Sequence, residues 1–220
     1  MTSVSSYSRG PTPALKKTTP PPARILGSEA FRDCVHLETL AIPEGVQEIG
    51  DACFAGCEAL RSITLPRSLR RIGFRIFEGC GALQRIEVAK GNRIITTLGP
   101  FLLSRNGKTL RACPTGLAGP LQIPEGIEEI GDWAFHGCIN LESLTLPRSL
   151  RHIGDGAFSY CTALRELEIP PSVRSIGLYA FRACTQLRRI RLPSGLQELG
   201  DFAFERCSSL RQVEFFRLAS

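Results

Sequence analysis

The stretch LESLTLPRSLRHIGDGAFSYCTA, residues 141–163, decides the fold. It reads as a template in three parts. The first is apolar-xx-apolar-x-apolar-Pro, the second apolar-xx-apolar-Gly, and the third xxx-Phe-xx-Cys. Moved along the chain, the template keeps fitting. Its Phe falls at Phe31, Phe54, Phe77, Phe135, Phe158, Phe181 and Phe204, and its Cys at Cys34, Cys57, Cys80, Cys138, Cys161, Cys184 and Cys207. Each step is 23 residues except Phe77 to Phe135, which is 58. A fixed period of this kind is the signature of a solenoid, whose units bury their apolar faces only against their neighbours.

The unit explains its own shape. Leu144 and Leu146 alternate with Thr145, so a short strand points two residues inward and one outward. Pro147 has no amide proton to give a ladder and ends that strand where the coil must turn. Leu150 and Ile153 form a second, flatter side, and Gly154 lets the backbone turn after it. Asp51, Asp132, Asp155 and Asp201 follow the glycine, which predicts N-caps of short helical or 3₁₀ turns. Each such turn carries Ala-Phe, with the Phe plugging the space between the two sides and the Cys closing the coil. Cys53 and Ile76 replace two of the alanines, and the larger Ile76 predicts local overpacking or a shifted turn.

The chain has 220 residues, 43% of them apolar, and a net charge of +6. That composition fills one continuous elongated core. The charge is too small and too scattered to specify an acidic partner. No apolar run approaches the roughly 20 residues that span a bilayer. Nine cysteines are an odd count, and seven share one template position. Stacked coils would place these about 4.8 Å apart, inside the disulfide range, but all pointing the same way into the core. A ladder of buried thiols, and with it a reducing compartment, is expected.

Residues 1–19 are rich in Ser, Thr and Pro, lack acidic residues and have no apolar signal core, so they read as a disordered basic tail. The solenoid then runs over residues 20–220. Residues 89–120 depart from the template. Within them FLLS-RNGK-TLRA, residues 101–112, predicts a hairpin with a type I′ turn at Asn106-Gly107.

These units, LxxIxIPxxVxxIGxxAFxxC in outline, resemble the BspA-like class of leucine-rich repeats over Pro20 to Leu218. The long coil, with Asn92, Asn106-Gly107 and Pro114, is similar to the interruptions of that class. The resemblance implies an α/β leucine-rich-repeat solenoid: right-handed, with short parallel strands, short helical or 3₁₀ turns and one hairpin-bearing coil. It also implies protein binding, often on cell surfaces.

The template residues are structural, so function falls to the positions it leaves free. Two residues before each Phe stand Glu29, Ala52, Arg75, Trp133, Gly156, Tyr179 and Phe202. Trp133, Tyr179 and Phe202 predict an outward aromatic strip suited to an interface, with Tyr160 beside it. A second candidate is the basic group Arg165, Arg188 and Arg191, with Arg189 and Arg211. It lacks the interleaved stacking aromatics of a nucleic-acid surface. Alternating charges such as Glu168, Arg191 and Glu214 predict ladders that fix register. His36 near Cys34 and His136 near Cys138 occupy different template positions and do not assemble four zinc ligands. No catalytic residue, metal, cofactor or small-molecule substrate is expected.

The expectation is a non-enzymatic protein-interaction scaffold inside the cell, in the cytoplasm, with a protein partner and no nucleic acid or membrane span. A cell-surface adhesion protein of the same fold is the alternative. The truncated last unit, with Phe215 and Phe216, leaves an edge that a second copy could cap end to end.

Overall fold

The structure, a computed structural model, describes residues 23–216. The expected tail, residues 1–19, lies outside the described residues. The first coils carry β1 (Ile25–Leu26), β2 (Thr39–Ala41), β3 (Glu48–Ile49), β4 (Ser62–Leu65), β5 (Arg71–Ile72) and β6 (Arg85–Val88). The long coil carries β7 (Ile95–Leu98), β8 (Phe101–Ser104) and β9 (Thr109–Ala112). Next come β10 (Gly119–Gln122), β11 (Glu129–Ile130), β12 (Leu141–Thr145), β13 (His152–Ile153) and β14 (Glu166–Glu168). The last are β15 (Ser175–Ile176), β16 (Arg189–Pro193), β17 (Glu198–Leu199) and β18 (Gln212–Phe216).

The strands stack as a parallel β-solenoid with two strand-bearing sides. One side holds the sheets β2-β4-β6, β10-β12 and β14-β16-β18. The other holds β1-β3-β5 and the seven-stranded β17-β15-β13-β11-β9-β8-β7. Partners on successive regular coils differ by one period, as in Ile63↔Ile86 and Ile190↔Val213. The repeat in the sequence is therefore the register of the sheets.

Between the sides the template Phe rings stack, with centroids 5.0 Å apart for Phe135–Phe158 and 5.3 Å for Phe158–Phe181. The spacing widens to 6.2 Å for Phe54–Phe77, beside the oversized Ile76. The thiols do point inward together. Cys80 Sγ donates to the Phe54 carbonyl (3.1 Å) and Cys161 Sγ to that of Phe135 (3.2 Å). Each of these thiols thus gives a second hydrogen bond to a carbonyl of the coil before it, one that already accepts the N–H of Cys57 or Cys138. Burial pushes the Cys53 thiol up to about 11 and Cys80 up to about 12.

Three expectations need correcting. No helix or 3₁₀ segment occurs among the described residues. The segment after each glycine is a pair of tandem turns whose N–H groups alternate between their own coil and the next. In one coil Ala134 N–H donates to Gly131 C=O, and Phe135 N–H to Ala157 of the next coil. His136 N–H then donates to Trp133 C=O, and Gly137 N–H to Ser159 of the next coil. A helix would keep every donor within its own segment; here half cross to the neighbour.

The aspartates consequently do not cap helices. Asp51 Oδ1 accepts the N–H of Phe74, Asp132 Oδ1 that of Asp155 and Asp155 Oδ1 that of Leu178, each in the following coil.

The long coil holds a three-stranded meander rather than a single hairpin. β7 and β8 pair antiparallel, as do β8 and β9, and Gly99-Pro100 forms an extra turn. At the foreseen turn only Gly107 has positive φ (73°), and its N–H donates to Ser104 C=O. Type I′ needs positive φ at Asn106 as well, so the turn is of another type.

Candidate functional site

The tandem turns need two left-handed residues per coil. The first falls two residues before the Phe. There Glu29, Ala52, Arg75, Trp133, Gly156, Tyr179 and Phe202 all have φ between 50° and 59°. The second falls two residues after it, at Asp33, Gly56, Gly79, Gly137, Tyr160, Ala183 and Arg206. Glycine adopts this backbone freely; a bulky side chain there is strained by about 1–2 kcal/mol. The candidates Trp133, Tyr160, Tyr179 and Phe202 all sit at these strained positions. Sequence periodicity put them in register but carried no hint of the backbone they occupy.

The structure brings them into two groups rather than one strip. Trp133 is half-buried, and its ring lies across Gly156, where a Cβ would collide with Trp133 Cε3. Arg75 stacks over that ring at 5.5 Å. His136 packs edge-on against Trp133 (5.4 Å) and against Tyr160 (5.5 Å). In the second group Tyr179 and Phe202 stack at 5.3 Å with Arg182 over Tyr179 at 5.3 Å, and Phe202 is 59% exposed.

Glu78, which the sequence reading passed over, joins the first group with His136, weighed there only as a zinc ligand. Glu78 accepts from Arg75 (2.6 Å) and meets His136 Nε2 at 3.1 Å. The hydrogen bond from His136, then the Arg75 guanidinium, hold the Glu78 carboxyl down to about 2. Glu78 and His136 stand 58 residues apart, on turns that flank the long coil, so only the fold makes them neighbours.

The basic candidates lie elsewhere, on a strand side. Arg191 bonds Glu168 (2.5 Å) and Glu214 (3.3 Å), the expected ladder, and stacks on Phe216 at 4.7 Å. Arg165 stands 4.0 Å from Glu142. Arg165, Arg188 and Arg211 stack on consecutive coils, joined by the bonds Arg188 N–H to Arg165 C=O and Arg211 N–H to Arg188 C=O. The carboxylates between and beside them divide the cluster, leaving no uniform cationic face.

Among the described residues no group of His, Cys, Asp and Glu converges as metal ligands, and no helix is long and apolar enough to cross a membrane.

The BspA type leucine rich repeat region matches residues 23–107 and 118–219 in six copies. No curated protein matches the chain. A leucine rich cell surface protein of Faecalibacterium prausnitzii is 28% identical, with a TM-score of 0.59, over 88% of this chain and 63% of that one. The pneumococcal vaccine antigen PcpA shares the fold with a TM-score of 0.73 at 22% identity, over 87% of this chain and 54% of that one. A leucine-rich repeat protein of Eubacterium ventriosum does so with a TM-score of 0.62 at 21% identity, over 88% and 70%. The chain thus spans less than two thirds of the first two. With a matched family model over most of its length, the chain belongs to the BspA type leucine rich repeat family.

Proposed function

We propose that this chain is a non-enzymatic protein-interaction scaffold whose partner docks on the turn face, at Tyr179–Phe202 and Trp133–Tyr160. The observation that carries this is the placement of four aromatics at left-handed positions that glycine fills without strain. Every coil places left-handed residues in these turns, so what sets this region apart is that large aromatics fill positions occupied elsewhere by Gly, Ala or charged residues. Stacked, partly exposed aromatics flanked by Arg75 and Arg182 have the composition of an interface hot spot.

The test is capture of the partner by the intact chain and by Tyr179→Gly and Phe202→Gly. Both variants relieve strain and should keep their thermal midpoints while losing the protein that the wild type recovers. Equal recovery by folded variants removes this face from the reading.

A cell-surface adhesion role is the second reading, supported by the printed description of the F. prausnitzii neighbour as a cell surface protein. Protease shaving of intact native cells separates it from an intracellular scaffold, because only a surface protein is clipped.

A further inference from the structure

The regular coils are zipped together along their turns. Trp133, Phe135 and Gly137 N–H groups reach Asp155, Ala157 and Ser159 carbonyls at 2.8, 2.7 and 2.9 Å, and Ala52, Phe54 and Gly56 reach Phe74, Ile76 and Glu78 at 2.9, 3.1 and 2.7 Å. The zip stops between the turn around Phe77 and the turn around Phe135. There the long coil returns from β9 to Pro114 without a turn of its own.

Counted back one period from Phe135 and Cys138, its Phe and Cys positions are Ala112 and Thr115. Thr115 does replace the cysteine, since its hydroxyl reaches the Phe77 carbonyl (3.2 Å), as the Cys80 and Cys161 thiols reach that of the preceding template Phe. Ala112 does not replace the phenylalanine. The parallel ring stack ends there: Phe101 from β8 packs tilted against Phe135 at 6.1 Å, and the core divides into one cluster ending near Phe77 and Leu102 and another beginning at Phe101 and Phe135.

The break leaves a cavity of about 240 Å³, with Ile76, Phe77, Leu102, Ala112 and Ala134 in its apolar part and Trp133 on its wall. Its walls carry unspent backbone groups. Among the described residues the N–H groups of Arg75 and Phe77 meet no backbone carbonyl, and the carbonyls of Asp132 and His136 meet no backbone donor. Cys113 N–H alone spans to Ala134 C=O (2.8 Å). His136, 7% exposed, lines the cavity with a buried Nδ1 that has no partner. The Glu78–His136 bond ties one wall to the other and holds the slot open at a set width.

We infer that this slot binds a short extended segment of a partner protein bearing one aromatic side chain, which completes the missing turn. The segment's carbonyls accept from Arg75 and Phe77, its N–H groups donate to Asp132 and His136, and its ring fills the space beside Ala112 among Phe77, Leu102 and Trp133. This is strand addition applied to a turn, with backbone bonds giving affinity and one pocket giving specificity. The volume, below the roughly 300–1,000 Å³ of drug-sized pockets, suits one side chain and its flanking peptide units. The inference rests on the protein-binding reading but concerns a separate surface from Tyr179–Phe202.

Trp133 is the only tryptophan of the chain and reports on the slot directly. The probe is the acetylated, amidated peptide GDGAFS, which copies residues 154–159, with GDGAAS as control. The first should change Trp133 emission saturably and slow hydrogen exchange at the Arg75 and Phe77 amides; the second should bind about tenfold or more weakly. No response, an equal response to both peptides, or a response without amide protection overturns the inference. Ala112→Phe, which fills the cavity from within, should abolish the peptide response. Capture of a partner through Tyr179 and Phe202 should survive that change. A slot that fails while capture persists sinks this inference alone, whereas capture that ignores the aromatic face sinks the other.

Discussion

Thr115 Oγ1 donates to the backbone carbonyl of Cys80 at 2.7 Å and lies 3.2 Å from that of Phe77, both outside its own coil. A hydroxyl thus reaches the Phe77 carbonyl that the next thiol of the ladder would meet, bonds the Cys80 carbonyl besides, and pins the long coil back into register.

Thr115→Val keeps the shape and removes the donor from a site that is 4% exposed. Urea unfolding should show a loss of about 1–3 kcal/mol. Thr115→Cys restores the donor found in the other coils and should recover most of that stability. A valine variant as stable as wild type would show that the bond does not hold the coil.

Gly156 has φ 57° and lies beneath the Trp133 ring. Gly156→Ala adds strain and a collision at once, so it should destabilise by about 1–3 kcal/mol. It should also lift Trp133 into water and shift its emission to the red. An unmoved emission maximum would mean that the ring does not rest on Gly156.

All nine cysteines are free thiols, with Cys34 exposed, Cys207 half-buried and the others buried. Cys207 is lowered by its hydrogen bond with the Cys184 thiol, while Cys184 is raised by the same bond and by burial. Thiolate is the reactive form. A disulfide reagent should therefore label Cys34 and Cys207 in the native protein and reach the rest only on unfolding. Mass spectrometry of early adducts checks the order, and early labelling of Cys80 or Cys161 would contradict it.

Glu78, held down to about 2 from the usual 4.5, stays ionised in the folded state at pH values where the unfolded chain binds a proton. Its contribution is complete above about pH 4.5 and is lost as pH falls toward 2. Glu78→Gln should be less stable than wild type at pH 7, with the gap closing in that window. Urea titrations at pH 7, 4.5 and 2.5 measure it, and a gap of constant size would refute the assignment.

Much of the fold was legible because a solenoid turns sequence period into spatial register. The pairing Glu168–Arg191–Glu214 follows from spacing alone, as does the inward Cys column. The turn conformation was not legible. Gly-Asp-x-Ala-Phe suits the start of a helix equally well, and what excludes the helix is a neighbouring coil placed to take half its N–H donors. The second turn of the long coil, Gly99-Pro100, went unread because its flanks, ITTL and FLLS, lack a clean two-residue alternation.

The candidate site divides the same way. By itself the sequence determined the repeat, the columns and which residues stand free of the template, because these depend only on spacing. The tertiary structure decided what those residues do, because it set the backbone under them and the chain beside them. It placed the aromatics on strained left-handed residues, folded Trp133 over Gly156 and parted it from Tyr179. It also joined Glu78 to His136 across the long coil and opened a slot where Ala112 stands in for a phenylalanine. Strain, ring packing and vacancy belong to neighbouring coils together, and no single coil's sequence contains them.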